Sequence, residues 1–143
     1  AIVEIDVIKA VLDADQIVIA CGGGGIPVME QGAGLKGASA VIEKDLAAGL
    51  LAKEVDADVL MILTSVDNVT LNYGQPDEQP LSSMTIPEAE AYIAQGQFEF
   101  ASMLPKVEAS VDFIRHGTHR CAIITSLEKA KASLAGKAGT TIQ

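Results

Sequence analysis

The sequence predicts an α/β protein built on a mostly parallel sheet, and two observations lead to this prediction. Short apolar segments of strand length alternate with segments of helical periodicity, the pattern of a parallel sheet with helical crossovers. Apolar residues make up 49% of the chain but aromatic residues only 3%, so the core must be aliphatic, as in buried parallel strands. With 143 residues and neither repeats nor a linker, residues 1–143 are predicted to form one domain.

Apolar runs, prolines and glycines define the predicted elements. Buried strands are predicted over 16–20, 59–64 and 120–125. Residues 27–42 are predicted to form two short extended pieces around a glycine-rich turn, and 65–83 a long polar loop. Helices are predicted over 3–14, 46–55, 88–95, 106–116 and 127–135.

Two helices are predicted in more detail. Asp45 is a residue type favoured at N-caps and is predicted to begin the helix over 46–55. The inward side of that helix is predicted to consist of Leu46, Leu50, Leu51 and Val55. The helix over 106–116 follows Pro105 and is predicted to face inward with Val107, Val111 and Ile114.

Charge and composition exclude several classes of function. The net charge of −9 argues against general nucleic-acid binding and against anionic membranes, since both require excess positive charge. No apolar run approaches the ~18 residues of a membrane span. Cys21 and Cys121 lie in apolar segments and are predicted to be buried, reduced thiols in a cytoplasmic protein. The chain starts without Met and enters a helical pattern at once, so we expect a fragment of a longer protein.

Four consecutive glycines follow the first predicted strand: Gly22, Gly23, Gly24 and Gly25. Ordering such a run costs backbone entropy, about 1 kcal/mol more per glycine than for alanine. A loop of this kind at a strand end suggests that backbone approaches a ligand, usually a phosphate or carboxylate, although a flexible turn is the alternative. A second pattern, Gly32 to Gly37, matches the dinucleotide fingerprint but neither follows a clean buried strand nor opens directly into a helix, so a dinucleotide site is not predicted there.

Lys44 and Lys106 both stand at predicted helix starts, where a cation opposes the helix dipole. Their placement becomes favourable if an anion binds there, because the dipole, the backbone N–H groups and the ammonium groups then converge on it. Asp45 is suited to holding the lysines without itself reacting. The alternative is that both lysines are solvated surface charges. His116 and His119 have no third ligand at metal spacing, so no protein metal site is predicted.

Six strings in this order resemble carbamate kinases, which belong to the amino-acid kinase superfamily. They are Cys21-Gly-Gly-Gly-Gly-Ile-Pro-Val28, Ala40-Val-Ile-Glu-Lys-Asp-Leu-Ala47, Leu63-Thr-Ser-Val-Asp-Asn-Val69, Asn72-Tyr-Gly-Gln-Pro-Asp-Glu78, Ser102-Met-Leu-Pro-Lys-Val-Glu-Ala109 and Ala122-Ile-Ile-Thr-Ser-Leu-Glu128. The likeness extends from end to end of the chain.

The resemblance implies a three-layer α/β sandwich that transfers a phosphoryl group between ATP and carbamate with Mg²⁺, making ATP from ADP and carbamoyl phosphate in arginine or purine breakdown. It implies that Lys44 contacts nucleotide phosphates, that Lys106 contacts the transferring group, and that Asp45 positions both. The glycine loop would face the reacting end. The adenosine part would lie against Thr64, Ser65, Val66, Asn72, Tyr73 and Met103.

The chain also departs from the family pattern. Ala101 stands where the family usually has glycine, and Glu99-Phe100 precede it in place of Ala-Pro; an alanine with positive φ there would strain the loop. The family's N-terminal half is absent, and with it the first phosphate loop, much of the carbamate site and most contacts of the expected homodimer. Two alternatives remain: a degenerate module that binds nucleotide without catalysis, and a related kinase for an amino acid or UMP.

Overall fold

A computed structural model describes all residues, 1–143. Five α-helices are present: α1 (Ile5–Asp13), α2 (Lys44–Glu54), α3 (Ile86–Ala94), α4 (Met103–Arg115) and α5 (Ala130–Leu134). A 3₁₀ helix over Leu127–Lys129 leads into α5. None of these helices combines the length and apolar character needed to span a membrane.

Eight strands lie between the helices. The first five are β1 (Val28–Gln31), β2 (Gly34–Gly37), β3 (Val59–Thr64), β4 (Thr70–Leu71) and β5 (Gln79–Pro80). The others are β6 (Ser83–Met84), β7 (Cys121–Ser126) and β8 (Thr140–Ile142).

The main sheet has the strand order β3-β7-β8-β6. β3 pairs with β7 in parallel over six positions, from Val59 opposite Cys121 to Thr64 opposite Ser126. β7 pairs with β8 antiparallel and β8 with β6 in parallel. The predicted α/β class with a mostly parallel sheet is therefore confirmed. The strands β1 and β2 form a separate hairpin, so two extended pieces are present as predicted, but β2 lies within the glycine-rich segment that was predicted to be the turn.

The core forms where α4 packs on β7 and β3, with α2 and α3 packed against α4. Along α4 the three residues predicted to face inward are all buried: Val107, Val111 and Ile114. β7 is buried from Ala122 to Ser126, whereas β3 is half-buried because it forms an edge of the sheet. The aliphatic core predicted from composition is confirmed, with Phe113 as its largest fully buried side chain.

Residues 139–142 join parts of the fold that are far apart in sequence. The Thr140 hydroxyl accepts the Val69 N–H at 2.8 Å and donates to the Leu81 carbonyl at 2.5 Å. The Asn68 amide donates to the Gly139 carbonyl at 2.7 Å. The strand β8, which sequence reasoning did not predict, thereby fixes the long loop after β3 to the middle of the sheet.

The segment 16–20 corrects one sequence prediction. It has no regular secondary structure and no strand partner, and Ile17 and Ile19 are 96% and 97% exposed. A buried strand needs neighbours on both sides, and the described chain provides none for this segment. Cys21 directly follows it and is half-buried with a φ of 60°; Cys121 is also half-buried, so neither thiol is as buried as predicted.

Two helix predictions are also wrong in detail. α2 begins at Lys44, and its N-cap is Glu43 rather than Asp45. Its buried residues are Asp45, Ala47, Gly49 and Ala52, whereas Leu46 of the predicted inner stripe is exposed. α4 begins at Met103, so Lys106 is the fourth residue of the helix and not its first. Small residues replace the leucines on the inner side because α2 packs closely against another helix.

We predict that the 16–20 segment drives concentration-dependent self-association, because it exposes unpaired backbone and large apolar side chains. Replacing Ile17 and Ile19 by Lys should reduce the association seen in sedimentation velocity. Thermal stability should not change, since neither side chain packs against the fold. A double variant that associates as strongly as the parent chain would contradict this prediction.

Candidate active site

The N-terminus of α2 is capped by the carboxylate of Glu43. Its Oε2 accepts the backbone N–H of Asp45 at 2.6 Å and that of Leu46 at 2.9 Å. Its Oε1 accepts the ammonium group of Lys44 at 2.9 Å. The helix N-terminus, predicted as an anion site, therefore already contacts a carboxylate of the chain itself.

These contacts shift the pKa of both side chains. Burial alone would raise the pKa of Glu43, but the Leu46 and Asp45 backbone N–H groups and the Lys44 ammonium outweigh it and hold that pKa below its ordinary value. The hydrogen bond to Glu43 and then the charge of Asp45 raise the pKa of Lys44. Both groups are thus charged in the neutral pH range.

Asp45 brings the two predicted lysines together. Its Oδ2 lies 2.7 Å from Lys106 Nζ and 3.5 Å from Lys44 Nζ. The Asp45 and Lys106 side chains are only 9% and 8% exposed, whereas Lys44 is 59% exposed. A buried ion pair of this kind requires close geometry, because both groups lose their hydration. One oxygen of Asp45 therefore contacts both lysines.

A glycine in α2 allows this contact. A Cβ atom at Gly49 would lie 3.1 Å from the Ala109 carbonyl oxygen and 3.2 Å from the Ala109 Cβ atom. Even alanine would thus push α2 away from α4. The short helix–helix distance at Gly49 brings Asp45, one turn earlier on α2, within hydrogen-bonding distance of Lys106.

The four-glycine loop lies beside the segment that leads into α2. Gly24 is buried with a φ of 125°, and a Cβ atom there would lie 2.2 Å from the Ile42 carbonyl oxygen. The close backbone approach predicted for this loop therefore exists, but at Gly24 it is made to the chain itself. Gly22, Gly23 and Gly25 are exposed, with open space where a side chain would be.

A pocket of about 160 Å³ opens next to the first turn of α4. It contains five of the predicted nucleotide-site residues, Thr64, Ser65, Val66, Tyr73 and Met103. Its remaining lining residues are Asn68, Thr70, Gln97, Phe98, Glu99 and Ser102. Met103 and Lys106 are three residues apart on α4 and share a face of the helix, so Lys106 lies about one turn along α4 from the pocket.

The predicted residue Asn72 lies beside this pocket. With Tyr73 it lines an adjoining open depression of about 550 Å³, which shares Gln97, Phe98 and Glu99 with the pocket. The Asn72 N–H donates to Gln97 Oε1 at 3.0 Å, and its side chain donates to Asp77 at 2.7 Å. Asn72 is thus held in its left-handed conformation, with a φ of 51°, at the edge of the pocket.

Sequence reasoning missed Glu43, Gln97, Phe98 and Ser102 as contributors to this region. Glu43 was missed because Asp is the more common N-cap residue and stands two positions later. Gln97 and Phe98 follow α3 and meet the loop after β3 only in the folded chain. Ala101 does not have positive φ, so the strain considered for the Lys106 loop does not arise.

Two ammonium groups and a small pocket thus lie near the carboxyl end of a strand, the region where ligands of α/β sheets commonly bind. The chain belongs to the amino acid kinase family, whose sequence profile matches residues 1–125. The resemblance inferred from the six motifs is thereby confirmed at the level of the family and of its carbamate kinase relatives.

The relatives include the carbamate kinase of Clostridium perfringens, 52% identical over 99% of this chain and 45% of the relative. The carbamate kinase-like protein YqeA of Escherichia coli is 50% identical over 99% of this chain and 46% of its own length. A solved structure of carbamate kinase from Giardia lamblia bound to AMP-PNP superposes with a TM-score of 0.95 at 45% identity, covering 99% of this chain and 50% of that one. The chain thus spans about half the length of the proteins it matches.

We predict that Asp45→Asn destabilises the fold, because it leaves the buried Lys106 ammonium without its counter-charge. The free energy of unfolding in urea should fall by about 3–5 kcal/mol. The matched control is Asp112→Asn, which breaks the pair with Lys53 around a carboxylate that is 53% exposed. That change should cost less than about 1 kcal/mol, and equal losses for the two variants would contradict the prediction.

The lowered pKa of Glu43 gives a second prediction. A carboxyl with a lower pKa in the folded state contributes stability above its ordinary pKa of 4.5 and loses it as pH falls through the folded-state value. Stability measured by urea unfolding should therefore decrease below pH 4.5, and Glu43→Gln should decrease less steeply than the parent chain. An unchanged slope in this variant would show that Glu43 makes no such contribution.

Proposed function

We propose that this chain supplies the nucleotide-binding half of a carbamate kinase, which transfers a phosphoryl group between ATP and carbamate. In the catabolic direction the reaction converts ADP and carbamoyl phosphate to ATP and carbamate. The observation that carries this proposal is the contact of Lys44 and Lys106 with one Asp45 oxygen, near a small pocket lined by apolar, hydroxyl and amide groups. The names of the relatives supply the acceptor, since the site geometry alone does not distinguish carbamate from other acceptors.

The pocket and the lysines suit different parts of a nucleotide. Glu99 is the only charged residue that lines the pocket, and its carboxylate would repel phosphate. A base and ribose fit such a lining, with Phe98 and Met103 as apolar surface and hydroxyl and amide groups for hydrogen bonds. The phosphates would then extend along the first turns of α4 toward Lys106 and Lys44.

Each lysine has a separate role in this proposal. Lys106 would contact the transferring phosphoryl group, and Lys44, which is largely exposed, the nucleotide phosphates. Asp45 would hold both without reacting, while the exposed glycines at positions 22, 23 and 25 offer backbone N–H groups to the reacting end. Phosphoryl transfer needs chiefly positioning and stabilisation of charge on the equatorial oxygens, which ammonium groups provide.

Mg²⁺ fits this arrangement as part of the bound nucleotide. The chain has no cluster of three or more metal-ligating side chains, and both Asp45 and Glu43 are already paired with lysines. Mg²⁺ commonly binds through substrate phosphates and few protein groups. Bound in that way, Mg²⁺ would add positive charge at the site, where the charges of the two lysines are balanced by Glu43 and Asp45. The residues of this chain would orient the nucleotide.

The chain covers 45–50% of its relatives, so the remaining length would contribute the carbamate contacts and the interface of the expected homodimer. A second candidate function is a module that binds nucleotide without catalysing transfer, for which the pocket and the two lysines would be sufficient. The two functions differ in turnover but not in nucleotide binding.

We expect ADP to bind the chain with a micromolar-to-millimolar Kd, measured by calorimetry. Lys106→Ala should weaken this binding about tenfold or more through loss of a charged hydrogen bond. Because that variant leaves Asp45 buried without its partner, Lys44→Ala is the second variant, and its exposed position should leave folding intact. The matched control is Lys53→Ala, which removes a lysine from the last turn of α2. A folded chain that binds no ADP would contradict the proposal.

Catalysis is tested separately. We expect little or no ATP from ADP and carbamoyl phosphate with the 143-residue chain, measured by a coupled assay on a mass-verified sample. Turnover by the pure chain would show that this half is sufficient for the reaction. ADP binding without turnover, even after addition of the complementary half of a relative, would favour the non-catalytic module.

A further inference from the structure

Glu43 uses its two carboxylate oxygens for different purposes. Oε2 accepts the N–H groups of Asp45 and Leu46 and is thereby fixed to the N-terminus of α2. Oε1 is not used by the helix N–H groups and instead accepts the Lys44 ammonium at 2.9 Å. The carboxylate is thus an anchored acceptor, unlike a free surface glutamate that would have to be ordered together with its partner.

The Lys44 ammonium is held on two sides and open on the third. It has three N–H donors; Glu43 Oε1 lies 2.9 Å away and Asp45 Oδ2 3.5 Å away. The side chain remains 59% exposed, so one donor is left for a group arriving from solvent. An unrestrained lysine would lose rotamer entropy when a ligand orders it.

We propose that Glu43 is a positioning residue, which holds the Lys44 ammonium in advance at the place where it meets the nucleotide phosphates. This inference rests on the proposed function of Lys44. The benefit is preorganisation: ordering of the long side chain is completed at folding and does not oppose nucleotide binding. Glu43 also couples the lysine to the helix, because one carboxylate bonds both.

The charges around Lys44 agree with this role. Glu43 and Asp45 face it from α2 and its cap, and Lys106 of α4 lies on the far side of Asp45, on the same oxygen. The hydrogen bond to Glu43 is the largest cause of the raised pKa of Lys44. Loss of Glu43 should therefore weaken the attachment of the lysine while Asp45 and Lys106 keep their own contact.

The test is a double-mutant cycle on ADP affinity with Glu43→Gln and Lys44→Ala. In the Glu43→Gln variant the new amide oxygen can still accept the helix N–H groups, but the amide NH₂ group cannot accept the ammonium. Removing a negative charge near the site would by itself favour an anion, whereas loss of positioning would weaken binding, so the two effects have opposite signs.

A matched control exists in α3. Glu88 also bonds the start of a helix, accepting the Thr85 N–H and hydroxyl at 2.8 Å each, and its pKa is likewise lowered by those two bonds to Thr85. It has no lysine partner among the ion pairs of the fold. Glu88→Gln therefore reproduces the loss of charge and the weakened helix start without affecting Lys44.

We expect Glu43→Gln to raise the Kd for ADP about three- to tenfold, and Glu88→Gln to change it less than about twofold. In the Lys44→Ala background, Glu43→Gln should not weaken binding further, because only the effect of the lost negative charge remains. The inference is overturned if Glu43→Gln leaves ADP affinity unchanged or tightens it. An equal weakening in the Lys44→Ala background also overturns it, because Glu43 would then act independently of the lysine.

A second measurement separates this inference from the proposed function. The titration of Lys44, followed by NMR at its Cε atom, requires no nucleotide. Glu43→Gln should shift it to lower pH, and Glu88→Gln should not. If the parent chain binds no ADP but this shift is found, the proposed function fails while Glu43 is shown to hold the lysine. A Lys44 titration that is the same in the parent chain and in Glu43→Gln overturns the inference.

Discussion

The arrangement of the candidate site depends on one buried contact, the 2.7 Å ion pair between Asp45 of α2 and Lys106 of α4. It is favoured by Gly49, where the two helices are so close that an added Cβ atom would lie 3.1 Å from the Ala109 carbonyl oxygen. Because both side chains are about nine-tenths buried, each charge requires the other, and the relative position of α2 and α4 is restricted accordingly. Lys44, the glycine loop beside Ile42 and the pocket at Met103 are all placed relative to these two helices.

The same contact limits the positive charge that the site offers to a ligand. Two ammonium groups, of Lys44 and Lys106, are matched by two carboxylates, of Glu43 and Asp45. The group is neutral within a chain of net charge −9, so long-range attraction of a polyphosphate is weak. Specificity then depends on directed hydrogen bonds at short range, and the affinity of the site should respond strongly to any cation that accompanies the ligand.

Sequence reasoning was most successful where local pattern decides structure and least successful where packing does. The strand 59–64 and the inward residues of α4 follow from apolar periodicity, and the grouping of Lys44, Asp45 and Lys106 from their motifs. The prediction that leucines form the inner side of α2 was wrong, because close packing on α4 favours Ala and Gly there. The prediction of a buried strand over 16–20 was wrong because burial depends on neighbours that local sequence cannot reveal. Gln97 and Phe98 enter the pocket through contacts across more than twenty residues, for which no local signal exists.

The position of β8 has a consequence for how the fold is reached. It lies between β7 and β6, and Gly139 and Thr140 hold Asn68 and Val69, which are 71 residues earlier in the chain. Pairings of such separation form late and slowly, because a large loop must close first. During synthesis, the loop after β3 would leave the ribosome long before the segment that fixes it. The pocket should therefore assemble only after translation has passed residue 142, which exposes its parts to chaperones and proteases until then.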